Sequence, residues 1–324
     1  MNLVLGNWRN FSTNELRLKP QYTQNKGFFC SLTWLLECLP YIEANQYPSF
    51  GIEFYSHNYG SYPNFSVFGK HLINHFPAIQ NPINSMDVND IRKRNNEVLQ
   101  NNFEHSHNLF FKYFDFSPEI YAEALTYSDL FKGKKILGLH YRGTDKLGVN
   151  WADHTSVDDF IEIVKDYLLK NSVGGIYFCT DSLQFKTKMI SIFSNTYPLY
   201  YNKNQSINEN ALHISRLTVI EHITKPMRRH NNDKLEKQLE QECIINEREL
   251  KEVITDCIVL SRCSTVIKTH SLVSSFSKII NPNLNIYRVN GCSELYYPES
   301  YIPFYSTRDP KIQIILNNSK KLPF

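Results

Sequence analysis

The sequence of 324 residues lacks several features that would assign it to a common class of protein. Its seven cysteines are scattered and include no CxxC pair, so zinc-binding spacing is absent and free thiols in a reducing compartment are expected. No run of about 18 apolar residues occurs, which predicts that no helix spans a membrane. The N-terminal apolar run is too short for a signal peptide. These absences predict a cytoplasmic protein and leave peripheral membrane association open.

Two phosphate-binding motifs are also missing, because neither GxxxxGK[ST] nor GxGxxG occurs. The net charge is +3, and no basic stripe is interleaved with aromatic residues, so nothing indicates a nucleic-acid partner. The basic stretch KPMRRHNNDK (225–234) is either a solvated loop or a surface facing an anionic ligand or membrane. With 42% hydrophobic and 21% charged residues, the chain is typical of a globular protein.

The first part of the chain predicts a helix, a strand and two further helices. Apolar spacing indicates a helix within 27–49, which Pro40 should end or kink. A strand at 50–56 and a loop at 57–82 follow. Polar residues at 84–103 suggest a helix, and 117–131 suggest a better one, capped by Ser117 with Pro118 in its first position. The charged connector KGKK (132–135) predicts a domain boundary, giving domains 1–132 and 133–324.

After this connector, strands and helices alternate. Strands are predicted at 136–141, 175–180, 197–202, 264–270 and 284–289, and helices at 156–171, 182–194, 233–263 (in two pieces) and 271–281. Ser156 and Asp159 have the spacing of a capping box. The alternation predicts an α/β fold with a doubly wound parallel sheet, whose ligands bind at the carboxyl ends of the strands.

Polar residues cluster where three of these strands end. The first strand ends in LGLHYRGTDK, with His140, Arg142, Asp145 and Lys146; the second is followed by Thr180, Asp181 and Ser182; the third by Thr269, His270 and Ser271. Their cations, carboxylates and hydroxyls together predict a pocket for a nucleotide diphosphate. Simpler interpretations exist: a salt-bridged loop, an Asp145 that only caps backbone groups, and a His270 satisfied by the backbone.

These segments resemble a known enzyme family. LGLHYRGTDK is similar to the HxRRTDK segment of the α-1,6-fucosyltransferase and nodulation fucosyltransferase group, which is related to the α-1,2- and protein O-fucosyltransferases. IYFCTDS resembles the second strand of that family, which ends in ATD. The segments at 253–280 and 25–47 resemble its DxxxLSx(C/A)DxxVxTxSS segment and its glycine–phenylalanine loop. The resemblance covers about residues 25–55 and 136–290.

The resemblance implies the GT-B fold: two facing Rossmann-like domains with parallel sheets, the donor nucleotide lying mainly in the second. It implies inverting, metal-independent transfer of L-fucose from GDP-fucose to a glycan hydroxyl, without a cofactor. His140 would lie near the base and ribose, Arg142 at the diphosphate with Lys146 assisting, and Asp256 at the guanine. Thr180, Asp181, Thr269, His270 and Ser271 would line the pocket, and Gly27 and Phe28 would approach it from the first domain.

The chain departs from the family at two positions. Gly143 replaces the second arginine, and Asn150 stands where the family has a carboxylate, the expected acceptor base. Asp153 is the first candidate for that base, then Asp145 and His154. The departures keep two alternatives open: a transferase using another nucleotide sugar, and an inactive nucleotide-binding relative. A metal site is not expected, since DVND (87–90), although similar to a DxD motif, reads as the solvated face of a helix.

Overall fold

A computed structural model of the chain describes part of its length. The described residues are 3–6, 28–44, 50–53, 71–75, 84–87, 103–143, 155–203, 207, 233–289 and 296–298. The chain divides into two compact units. The first contains Met1–Ile120 and Ser215–Glu252, and the second contains Tyr121–Ile214 and Val253–Phe324.

The first unit contains a small parallel sheet, of order β2-β1-β4, built from β1 (Leu3–Gly6), β2 (Phe50–Glu53) and β4 (Asn84–Asp87). A separate antiparallel pair joins β3 (Leu72–Asn74) to β5 (Phe114–Phe116).

Among the described residues, the helices α1 (Phe28–Ala44) and α2 (Phe103–Tyr113) lie wholly in this unit. The Glu43 carboxylate of α1 accepts hydrogen bonds from Lys112 Nζ at 2.5 Å and from the Tyr113 hydroxyl at 2.9 Å. This carboxylate therefore links the end of α1 to the end of α2 by hydrogen bonds.

The second unit is built on a six-stranded sheet. Its elements are β6 (Ile136–Tyr141), α4 (Val157–Lys170), β7 (Gly175–Thr180), α5 (Leu183–Phe193), β8 (Leu199–Tyr200), β9 (Thr265–Lys268), α7 (Leu272–Ile280), β10 (Asn285–Val289) and β11 (Tyr296–Pro298). The strand order is β11-β10-β9-β6-β7-β8, and only β11 is antiparallel. The division between the units falls inside two helices, α3 (Pro118–Phe131) and α6 (Asp233–Ser261).

A large hydrophobic cluster of the second unit lies on one face of this sheet. Strands β6 and β7 are buried along their whole length, as expected for parallel strands covered on both faces. Alternate residues of β6, such as Leu139 and Tyr141, pack with Phe160 of α4 and Phe185 of α5. The Tyr141 and Phe185 rings stack at a centroid distance of 4.8 Å. The predicted α/β class with a doubly wound sheet is confirmed.

Several predicted elements need correction. Asn84–Asp87 is a strand rather than the start of a helix, because its backbone pairs in parallel with β1; Asp87 of the DVND stretch therefore ends a strand. Pro40 does not end α1, which continues to Ala44; the buried Leu36 and Leu39, which precede Pro40, hold this part of the helix by packing. Helix α6 is one piece, with no glycine or proline to divide it.

Strands β1, β3, β5 and β11 and helix α2 were not predicted. β3 lies within the stretch 57–82 that the sequence indicates is a loop, and each of the four strands is only three or four residues long. Four cysteines, Cys38, Cys179, Cys257 and Cys263, are buried free thiols, as expected. Every helix in the described part of the chain is too short or too polar to cross a bilayer.

Candidate functional site at the carboxyl end of the sheet

The strand order of the large sheet creates a crevice between β6 and β9. From β6 the chain moves outward to β7 and β8, then returns to the other side of β6 to form β9 and β10. The connections that follow β6 and β9 thus leave in opposite directions, and ligands of such sheets bind in the crevice at this point. The residues that follow β6 and β9 are those that the sequence singles out.

Backbone hydrogen bonds bring three strand ends together. The Thr269 N–H, just after β9, donates to the His140 carbonyl of β6 at 3.0 Å. The Arg142 N–H donates to Thr269 Oγ1 at 2.8 Å, and the Gly143 N–H donates to Asp181 Oδ1, just after β7, at 2.9 Å. The structure therefore places Arg142, Asp181 and Thr269 in one cluster.

Three basic side chains form a row across the sheet. His140 and Lys268 are register partners on β6 and β9, and Lys268 and Arg288 are partners on β9 and β10. Partners in neighbouring strands point to the same face. His140, Lys268 and Arg288 are all buried, with exposed fractions of 7%, 0% and 4%. His140 Nδ1 lies 2.7 Å from Ser274 Oγ of α7, so this row faces α7.

His140, the histidine of this row, is neutral at pH 7, and His270 lies next to Arg288. Burial and then the charges of Arg142 and Lys268 together lower the pKa of His140 from 6.5 to about 3. Arg288 Nη1 lies 3.2 Å from His270 Nδ1. An arginine can only donate hydrogen bonds, so His270 Nδ1 is the acceptor and carries no proton. The fixed positive charges of the site thus belong to lysine and arginine side chains.

The Arg142 guanidinium lies at the opening of the crevice. Its Nε is 3.9 Å from Asp181 Oδ2, and the two side chains are 20% and 17% exposed. The residue between the two predicted ligands, Tyr141, points away into the core and donates its hydroxyl hydrogen bond to the Thr155 carbonyl at 3.0 Å. Burial, followed by the charge of Asp181, raises the pKa of Tyr141 to about 12, so its hydroxyl stays protonated.

The start of α7 differs from the starts of α4 and α5. Ser156 and Ser182 cap their helices, accepting from the N–H groups of Asp159 at 3.0 Å and Phe185 at 3.2 Å. Ser271 occupies the same position before α7 but makes no capping hydrogen bond. Its Oγ is buried and has no hydrogen-bond partner in the described part of the chain. An uncapped helix start presents N–H groups and partial positive charge, which together bind anions.

Asp256, predicted to contact a guanine, lies deeper in the unit. It projects from α6, and its Oδ1 accepts a 2.6 Å hydrogen bond from the hydroxyl of Tyr177, which is fully buried. Burial, followed by the charge of Asp256, raises the pKa of Tyr177 well above 10. Tyr177 is three residues before the end of β7, or roughly 10 Å along the strand. The guanine contact of Asp256 stays a prediction.

The remaining predicted residues fall in several places. Thr180 ends β7, and its Oγ1 accepts from the Ser182 N–H at 3.0 Å. Phe28 is the first residue of α1, buried in the first unit. Six further positions lie outside the described residues: Gly27, Asp145, Lys146, Asn150, Asp153 and His154. So does most of the basic stretch at 225–234.

The sequence-based prediction missed Lys268, Arg288 and Ser274. Each has a signal in the sequence: TVIK and NIYRV place a base within an apolar strand, and the first turn of α7 is rich in serine. Charged side chains are rarely buried without a specific role, so a basic residue inside an apolar strand indicates a candidate site residue. In the part of the chain that the structure describes, no group of three or more His, Cys, Asp or Glu side chains could hold a metal ion.

Comparison with solved structures shows a related fold. The chain is similar to NodZ α-1,6-fucosyltransferase soaked with GDP-fucose, with a TM-score of 0.54, 13% identity, and coverage of 92% of this chain and 98% of that one. It is also similar to the fucosyltransferase NodZ from Bradyrhizobium, with a TM-score of 0.53, 13% identity, and coverage of 89% and 96%. The predicted GT-B class is confirmed by these similarities.

Sequence comparison identifies no relative. No family model matches the chain, and no curated protein sequence matches it significantly. At 13% identity, the structural similarity establishes the fold, and a shared fold does not by itself determine the activity.

Proposed function

We propose that the protein is a glycosyltransferase that transfers L-fucose from GDP-fucose to a hydroxyl group of a glycan. The observation that carries this proposal is the uncapped, positively charged start of α7 in the crevice between β6 and β9, where Ser271 leaves a buried hydroxyl without a partner in the described residues. Such a site suits a diphosphate. The fold shared with NodZ, whose structure was obtained with GDP-fucose, supports the choice of donor.

In this proposal, the diphosphate of the donor binds between the start of α7 and Arg142. Negative charge develops on the leaving diphosphate as the glycosidic bond breaks. Arg142 is held at the opening of the crevice by its N–H bond to Thr269 and its proximity to Asp181. A fixed donor of this kind contributes about 2.7–4 kcal/mol to transition-state stabilisation, and in this proposal Arg142 supplies it in place of a metal ion.

The remaining predicted residues take the roles that the family resemblance implies. His140 and Asp256 would contact the nucleoside, and Thr180 and His270 would complete the pocket. The acceptor hydroxyl loses its proton to a base, for which Asp153 is the first candidate and Asp145 the second. Attack opposite to the leaving group would invert the anomeric configuration. The donor would bind within residues 133–324, and residues 1–132 with Gly27 and Phe28 would form the acceptor side.

Calorimetry with the full-length protein tests this proposal directly. We expect GDP and GDP-fucose to bind more tightly than UDP and UDP-glucose. Ser271→Ala should weaken GDP binding and leave stability nearly unchanged, because Ser271 makes no capping bond. Ser156→Ala is the matched control. It removes a real cap and should cost about 1 kcal/mol of stability without changing GDP affinity. Preference for a uridine nucleotide would contradict the proposal.

The surroundings of Gly143 favour an alternative to fucose as the donor sugar. A Cβ atom at this position would lie 2.8 Å from Tyr141 Cε1, so the arginine that the family carries there does not fit the present backbone. One contact to the donor or acceptor is therefore replaced or absent. This supports two alternatives to fucose transfer: a transferase that uses another nucleotide sugar, and an inactive relative that binds the nucleotide. Release of GDP from GDP-fucose but not GDP-mannose, in the presence of a glycan array, would distinguish fucose transfer from both.

A further inference from the structure

Lys268 is a buried cation held against the first turn of α7. It is the last residue of β9 and is completely buried. Its Nζ donates to the Ser271 carbonyl at 3.0 Å and to Ser275 Oγ at 2.5 Å. The ammonium group is therefore fixed within one helical turn of the hydroxyl that we assign to diphosphate binding.

The position of this charge is unfavourable for the helix alone. The start of a helix carries partial positive charge, so a cation there opposes the macrodipole. Arg142 adds to the same field, because it follows His140 by two residues at the end of β6, His140 pairs with Lys268 across β6 and β9, and both charges lower the pKa of His140. An anion bound at the start of α7 would reverse these interactions from repulsive to attractive.

Lys268 also restricts the peptide group that carries the Ser271 side chain. The Ser271 carbonyl accepts from Lys268 Nζ, from Ser275 Oγ at 2.9 Å and from the Ser275 N–H at 3.2 Å. With its carbonyl held by these donors, Ser271 has a fixed backbone and a buried hydroxyl that has no partner among the described residues. The hydroxyl is thus a preorganised donor at the helix start.

We infer that Lys268 is a positioning residue for a diphosphate at the start of α7, and that its charge makes the site select diphosphates over monophosphates and uncharged nucleosides. It acts through Ser271 and through the field it adds, without touching the ligand. The inference rests on the proposed function in taking the anion to be the diphosphate of a nucleotide sugar.

The test is calorimetric titration of the full-length protein with inorganic pyrophosphate, GDP, GMP and guanosine. Lys268→Met removes the charge while keeping a long unbranched side chain. We expect pyrophosphate and GDP affinity to fall by about tenfold or more, GMP affinity to fall less, and guanosine affinity to stay unchanged. Lys134→Met is the matched control. Lys134 also donates to a backbone carbonyl and a hydroxyl oxygen, of Leu130 and Tyr200, but is exposed, so its loss should change none of the four affinities.

Lys268→Gln provides a second variant that keeps a hydrogen-bond donor and lacks the charge, and it should show the same selective loss. Equal affinity of wild type and both variants for pyrophosphate would overturn the inference. An equal loss of affinity for all four ligands would also overturn it, and so would the failure of both variants to fold. Either result would show that Lys268 has a purely structural role.

The outcomes separate this inference from the proposed function. If the wild-type protein binds pyrophosphate in a Lys268-dependent manner but does not prefer GDP to UDP, the inference stands and the GDP-fucose assignment fails. If the wild-type protein binds neither pyrophosphate nor a nucleoside diphosphate, the diphosphate site itself is refuted.

Discussion

Replacing Tyr177 by phenylalanine should destabilise the second unit by removing one hydrogen bond. The Tyr177 hydroxyl donates to Asp256 Oδ1 at 2.6 Å, and the two side chains are buried between β7 and α6. The variant keeps the aromatic ring and its edge contacts with Tyr127 and Phe131, so no cavity forms. A hydrogen bond to a charged group contributes about 1.5–3 kcal/mol. We expect the free energy of unfolding to fall by this amount.

Urea unfolding at pH 7 measures the effect, with Tyr200→Phe as the matched control. The Tyr200 hydroxyl accepts an exposed hydrogen bond from Lys134 Nζ at 3.0 Å, so its removal should cost less than about 0.5 kcal/mol. Asp256→Asn should lose less stability in the Tyr177→Phe background than in wild type, because the two groups are coupled. Equal costs for Tyr177→Phe and Tyr200→Phe would refute the predicted contribution of this hydrogen bond.

Three further outcomes are expected. His140 has a pKa of about 3 when folded and 6.5 when unfolded, so its contribution to stability is present above pH 6.5 and lost as the pH falls towards 3. Between pH 7 and 5, the free energy of unfolding of wild type should therefore fall by about 2 kcal/mol more than that of His140→Asn. Parallel pH profiles of the two proteins would contradict this. Thr269→Val removes the acceptor of the Arg142 N–H and should lower the free energy of unfolding in urea by about 1–3 kcal/mol. It should also weaken GDP binding in calorimetry. Unchanged GDP affinity would show that Thr269 does not position Arg142. Gly143→Ala places a Cβ 2.8 Å from Tyr141 Cε1 and should lower the free energy of unfolding in urea by about 1–3 kcal/mol. Adding Tyr141→Leu should partly restore this stability. Full stability of the single variant would contradict the close packing.

The sequence predicted the second unit well because its local signals agree with its packing. Strands 136–141 and 175–180 were predicted with their observed bounds, since each is an apolar run ended by polar residues. The serines before α4 and α5 fixed where those helices begin. Strand–helix alternation predicted a doubly wound parallel sheet with its ligands at the carboxyl ends of the strands, whereas the strand order that creates the crevice came from the structure.

What could not be predicted depends on contacts between distant segments. Asn84–Asp87 has no apolar alternation and is a strand only because β1 pairs with it. Likewise, β11 depends on antiparallel pairing with β10. In the site, Lys268 and Arg288 resemble isolated charges within strands; only the register shows that they form one row. The absence of a capping bond at Ser271 is a matter of side-chain geometry, which a serine in the sequence cannot reveal.

The pairing of β6 with β9 also has a consequence for how the protein is made. Leu137 pairs with Thr265, so the crevice joins two parts of the chain that leave the ribosome far apart in time. At about 5–20 residues per second, β9 is synthesised roughly 6–25 s after β6. During this interval one edge of β6 has no neighbour, and an exposed apolar strand edge is a site of aggregation. Slowing translation between residues 141 and 265 should therefore lower the soluble yield.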